Sequence, residues 1–169
     1  MRPQNLLSLA ALSLALFSAG CATAYAEGTA LPADVSFGSG LEAMSPAFDR
    51  LCDDYDVRTL DPADLPVAET SHVQVDCRGF DHAGAERLAE FVFADDSLVF
   101  IWVLTDAAEE ATHLAALRAA HGTPTHDTPV FVAFADDNVA LRRDEPEFLY
   151  YGDAVAPMYR AWFDQMASQ

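Results

Sequence analysis

Seven consecutive apolar residues, Leu98-Val99-Phe100-Ile101-Trp102-Val103-Leu104, most constrain what this chain can fold into. Neighbours along a strand face opposite ways, so a run with no polar alternate needs cover on both sides. Helices stacked on one side of a lone sheet would leave Val99, Ile101 and Val103 wet. Another layer of the chain, or another protein, must close that side.

The flanking pattern predicts antiparallel partners for this strand. Residues 87–93 and 98–105 are strand-like around Ala94-Asp95-Asp96-Ser97, a hairpin signal. Residues 129–134 and 139–143 repeat the arrangement around Ala135-Asp136-Asp137-Asn138. Val73-Gln74-Val75-Asp76-Cys77 alternates as a half-buried strand, and residues 148–151 form a short last one.

Three helices are predicted. Ser45-Pro46 reads as cap and first helical position, followed by Phe48, Leu51, Cys52 and Tyr55 on one face. Asp106 and Glu109 fit a capping box above a stripe of Ala107, Ala111, Leu114 and Leu117, stopped by Gly122 and Pro124. Asp153 opens the last, with Val155, Met158, Trp162 and Met166 aligned. The expected fold class is α+β, with about six antiparallel strands and three helices.

Phe93-Ala94-Asp95-Asp96 recurs as Phe134-Ala135-Asp136-Asp137. Together with the element order, this echo suggests two tandem α-β-β-β units. Two independent hairpins with similar turn chemistry would give the same match. The element order is similar to that of small exported modules such as the outer-membrane assembly lipoprotein BamE and the β-lactamase inhibitor proteins. No residue motif of those families occurs here, so the likeness favours a binding role and carries over no site.

The first 26 residues read as an address. Arg2 precedes an apolar stretch over 6–17, and Ala24-Tyr25-Ala26 fits ordinary signal-peptidase cleavage before Glu27. Ser18-Ala19-Gly20-Cys21 competes as a lipobox in which Cys21 would carry lipid. The expected division is a signal peptide over 1–26, a flexible lead-in over 27–40 and one domain over 41–169. The destination is the periplasm or the medium; the alternative is an outer-membrane lipoprotein. No later apolar stretch is long enough to span a bilayer, so the mature chain should carry no transmembrane span.

Cys52 and Cys77 then remain, and in an exported chain they most simply form one disulfide. It would close a loop of about 25 residues, worth about 3 kcal/mol by chain entropy. The C-x-x-C spacing of a redox pair is absent.

The formal charge is −18, from 27 acidic residues against 9 arginines and no lysine. That excludes nucleic acid and anionic membrane surfaces as partners, because both would repel it. It fits adaptation to salt and equally a GC-rich coding sequence.

No catalytic signature is present. Gly38-Ser39-Gly40 is not a nucleophile elbow, and His113 and His121 are two helical turns apart. His121, His126 and Asp127 could converge across the Gly122 turn, but a solvated helix end explains them better. The Asp95-Asp96 and Asp136-Asp137 pairs lack the ligand spacing of a calcium loop. No metal or other cofactor is expected. Paired carboxylates are too numerous to single out one pair. The more informative oddity is aromatic: Trp102, Tyr150, Tyr151 and Trp162 form a candidate interface, since Tyr and Trp anchor binding surfaces. The same four would also fill a core between the sheet and the last helix.

The expected function is an exported, non-enzymatic binding, inhibitor or envelope-assembly module. Its partner would be another envelope or exported protein, or a second copy of this chain. The alternatives are a small exported hydrolase with acidic catalytic residues and a structural lipoprotein tethered through Cys21.

Overall fold

A computed structural model describes residues 28–168. The signal segment and Cys21 lie outside the described residues. Three helices, α1 (Leu41–Leu51), α2 (Glu110–His121) and α3 (Ala156–Ala167), accompany eight strands. These are β1 (Asp54–Leu60), β2 (His72–His82), β3 (Ala85–Ala94), β4 (Ser97–Leu104), β5 (His126–Asp127), β6 (Phe131–Phe134), β7 (Val139–Arg142) and β8 (Glu147–Tyr151). All pair antiparallel in one sheet ordered β1-β2-β3-β4-β8-β7-β6-β5. The fold is therefore α+β, with eight strands where about six were expected.

The two extra strands escaped the pattern for a physical reason. β1 and β5 lie at the sheet edges, and β1 exposes most of its residues, so neither shows apolar alternation. Each half of the order is a helix followed by a four-strand meander, and the halves meet where β4 pairs with β8.

The apolar run does require two covers. α1 and α2 close one face over Phe91, Phe93, Ile101, Val103 and Phe148. On the other face α3 lies over Phe100, Leu149 and Tyr151, and the 61–71 connection adds Leu65. One detail departs from strict alternation. A register shift beside Val92 and Phe93 leaves Val99 as an extra residue, so Val99 joins Phe100 on the one-helix side.

α1 also starts earlier than its Ser-Pro signal. It begins at Leu41, with Pro46 inside it, because the Asp96 carboxylate accepts the Leu41 N–H at 2.9 Å. Gly40 permits this approach: a Cβ there would stand 2.7 Å from Asp96 Oδ2. The cap therefore comes from a turn 55 residues away. By contrast, the capping box at Asp106 and Glu109 is present as expected.

Nor is the segment ahead of Gly40 loose. Leu31, Val35 and Phe37 pack on the two-helix core, and Gly38 and Ser39 exchange backbone hydrogen bonds with Leu98. Gly28 and Thr29 carbonyls accept from Ala83 N–H and Tyr150 O–H. Residues 28–40 thus form a strap across the two-helix face. Cys52 and Cys77 are joined, with Cα atoms 5.3 Å apart, tying the end of α1 to β2.

Candidate functional site

Two polar clusters stand out, one on each face. The first lies beneath α2 and is satisfied from within. Arg87 forks onto Glu109 at 3.0 and 3.1 Å, donates to Thr105 Oγ1 at 2.9 Å and to the His82 carbonyl at 2.8 Å. The guanidinium holds the Glu109 carboxyl well below the usual carboxylate range. His113 Nε2 meets Thr105 Oγ1 at 2.7 Å.

This trio superficially resembles a hydroxyl, base and acid. In such a triad the acid orients the ring from the nitrogen opposite the nucleophile. Here Glu109 approaches His113 through the same Nε2, at 3.6 Å, and also contacts the Thr105 hydroxyl. The arrangement clamps the start of α2 and does not activate a nucleophile.

Deeper on this face, Tyr150 O–H donates to the Thr29 carbonyl at 2.6 Å. Its single proton is thereby used, so the 2.9 Å contact with His82 Nε2 has the histidine as donor. His82 Nδ1 is then bare, buried and without a partner among the described residues. Burial, then the charges of Arg87 and His113, push the His82 pKa down to about 4. A hollow of about 250 Å³ lies alongside, lined by small residues with Thr112 and His113.

The second cluster sits on the one-helix face, where four strands supply it through register. Glu90 on β3 pairs with Trp102 on β4, Leu104 on β4 with Glu147 on β8, and Glu147 with Arg142 on β7. Directly opposed residues share a face, so these five side chains lie together. α3 ends its cover nearby, with Trp162 4.7 Å from Phe131. Beyond it the sheet is open, and a cleft of about 430 Å³ is lined by Glu90, Leu104, Thr105, Asp144, Glu145, Pro146 and Glu147. Leu104 is 37% exposed at this opening.

Charge in the cleft is unbalanced. Arg142, stationed 6.0 Å from the Trp102 ring, serves Asp144, Glu145 and Glu147 at 2.8, 2.8 and 3.0 Å. Glu147 is only 8% exposed, and burial pushes its carboxyl up to about 7 despite Arg142. Burial, reinforced by Asp76, raises Glu90 as well.

The predicted interface residues divide between core and surface. Tyr150 and Tyr151 are 7% and 1% exposed, inside opposite cores. Trp102 and Trp162 are part-buried on the one-helix face beside the cleft. Glu90, Leu104, Arg142 and Glu147 were not singled out from sequence; only the register brings them together. Among the described residues no group of three or more His, Cys, Asp or Glu could hold a metal. His121 pairs with Asp137 and His126 with Asp164, so they do not converge. No described helix is long and apolar enough to cross a membrane.

Fold and site define a disulfide-tied α+β protein with an eight-stranded sheet and an acidic, part-apolar cleft at its open end. No family model matches the chain, and no curated protein and no solved structure matches it.

Proposed function

We propose that this chain is an exported, non-enzymatic binding module that takes a protein partner on the open end of its one-helix sheet face. The observation that carries the reading is Leu104, an exposed leucine flanked by Trp102 and two part-desolvated glutamates. Apolar surface beside aromatic and buried polar groups is how interface anchors are built. The cluster beneath α2, in contrast, spends its hydrogen bonds on holding the fold. The signal-like first 26 residues and the disulfide support an oxidising, extracytoplasmic destination.

Site-specific photocrosslinking in whole cells tests this. A benzophenone amino acid at position 104 should capture a discrete partner, and Trp102→Ala should abolish the adduct. The same label at Val57, 50% exposed on edge strand β1, should not capture it. Equal capture at both positions, or none at 104, would sink the reading.

A second reading, a small hydrolase with acidic catalytic residues, draws on one observation: Glu147 titrates near neutrality beside Glu90. A general acid is most effective near its operating pH. That reading requires turnover of a chromogenic glycoside or ester, lost in both Glu90→Gln and Glu147→Gln. A folded protein that binds at position 104 and turns over nothing excludes it.

A further inference from the structure

Resting on that binding reading, we propose that the cleft receives an arginine side chain from the partner, its stem on Leu104 and its guanidinium between Glu90 and Glu147. Four of the seven lining residues are carboxylates, and none is basic. The nearest cation, Arg142, is already divided among three acids. Glu90 has a hydrogen bond with Gln74 and no salt bridge among the described residues.

Among the described residues no arginine is held in reserve. All eight arginines among the described residues are ion-paired: Arg50 with Asp34, Arg58 with Asp76, Arg78 with Asp54 and Asp56, Arg87 with Glu109, Arg118 with Asp127, Arg142 as above, Arg143 with Glu110 and Asp127, and Arg160 with Asp136. The sequence contains no lysine. The Arg58 charge reaches Glu90 only from its pair with Asp76 and makes no ion pair with it, so a direct partner for Glu90 falls to another molecule. A second copy is a poor source, because it repeats the same charge of −18 and its arginines are occupied.

Shape narrows the cation. A volume of about 430 Å³ suits one or two side chains. Its mixed lining, an exposed leucine between carboxylates, matches a residue with an apolar stem and a charged head. Two acids on β3 and β8, the strands on either side of β4 and Leu104, suit a planar fork that can donate to both sides, which favours arginine over lysine. Burial raises both glutamate carboxyls, Glu147 to about 7, so an incoming guanidinium would favour their ionised forms.

The groups facing Glu147 are Arg142 on β7, Asp144 and Glu145 in the preceding turn, Leu104 and Thr105 at the end of β4, Glu90 on β3 and the Tyr159 hydroxyl of α3. Arg142 favours the ionised form, and the acids oppose it. Binding should consequently tighten as pH rises through about 7, where Glu147 loses its proton.

The test uses the peptide acetyl-Leu-Arg-Leu-amide and its citrulline counterpart, which keeps the shape and hydrogen-bonding head but not the charge. Binding is followed through the Leu104 methyl resonances of the mature protein. The arginine peptide should shift them saturably, about tenfold more tightly than citrulline, consistent with a charge-assisted hydrogen bond. Glu90→Gln and Glu147→Gln should each erase most of that difference. A lysine peptide should fall between the two. Glutamine preserves size and leaves Arg142 its other partners, and unchanged resonances elsewhere will confirm folding.

Equal affinity for arginine and citrulline peptides, or no pH dependence, overturns the proposal. If the position-104 adduct forms and survives Glu90→Gln with Glu147→Gln, binding stands and the arginine assignment fails. If no adduct forms, the binding reading itself fails.

Discussion

Asp95 and Asp96, adjacent in the β3–β4 turn, send their carboxylates to opposite faces of the sheet. Both are left-handed, φ 50° and 57°, as the tight hairpin turn requires. Asp95 accepts N–H groups of Glu69, Thr70 and Ser71, pinning the connection on the one-helix face. Asp96 caps α1 on the two-helix face. The echo turn is divided the same way: Asp136 meets Arg160 of α3 and Asp137 meets His121 of α2.

Substituting these neighbours should therefore give separable defects. Asp95→Ala should accelerate hydrogen exchange at the amides of 69–71 and spare Leu41. Asp96→Ala should expose Leu41 and cost about 1 kcal/mol, as for loss of a helix cap. The Asp95 carboxyl is held well below its ordinary range by those N–H bonds, so its contribution persists above the unfolded pKa and disappears only in strong acid. Exchange changes spread across both faces in either variant would contradict the division.

His82 and Glu147 should oppose each other in acid stability. His82 falls from 6.5 to about 4 on folding, so the unfolded chain binds the extra proton and stability rises with pH across that window. Glu147 rises from 4.5 to about 7, so the folded chain keeps the proton and stability falls as pH rises there. Each amounts to about 3 kcal/mol at most. The two slopes nearly cancel between 4.5 and 6.5. His82→Phe should leave a falling profile and Glu147→Gln a rising one, measured by urea denaturation at successive pH values. Parallel profiles in all three proteins would refute this.

Reducing the Cys52–Cys77 bond, or replacing both residues with alanine, should lower stability by about 3 kcal/mol. The loss should appear first at the end of α1 and along β1, which the bond holds against β2. Calorimetry of oxidised and reduced protein gives the difference directly.

Tyr150→Phe should strip the Thr29 carbonyl and the His82 Nε2–H of their buried partner. An unsatisfied buried polar group costs about 1–3 kcal/mol. The strap should loosen, so Ala83, whose N–H bonds Gly28, should exchange faster while α3 stays protected. An unaltered strap would mean that its apolar contacts suffice to hold it.

Much of the frame was legible in local pattern. The doubly apolar run demanded two covers, acidic turns between β-rich runs marked both central hairpins, and Cys52 with Cys77 had one simple use. These signals concern a residue and its near neighbours. β1 was hidden because an edge strand leaves most of its side chains wet. The strap was hidden because glycine and proline suggest a loose chain, while its order comes from Leu98, Ala83 and Tyr150, far away in sequence.

What the sequence by itself determined was the α+β class, the antiparallel hairpins, the central strand's need for burial on both sides and the disulfide. Tertiary structure alone decided that α3 takes the face opposite α1 and α2, that Tyr150 and Tyr151 turn into separate cores, and that Glu90, Leu104, Arg142 and Glu147 meet. The physical reason is register. Those four side chains come from four strands up to 57 residues apart, and only the pairing of β3, β4, β8 and β7 fixes their distances and burial.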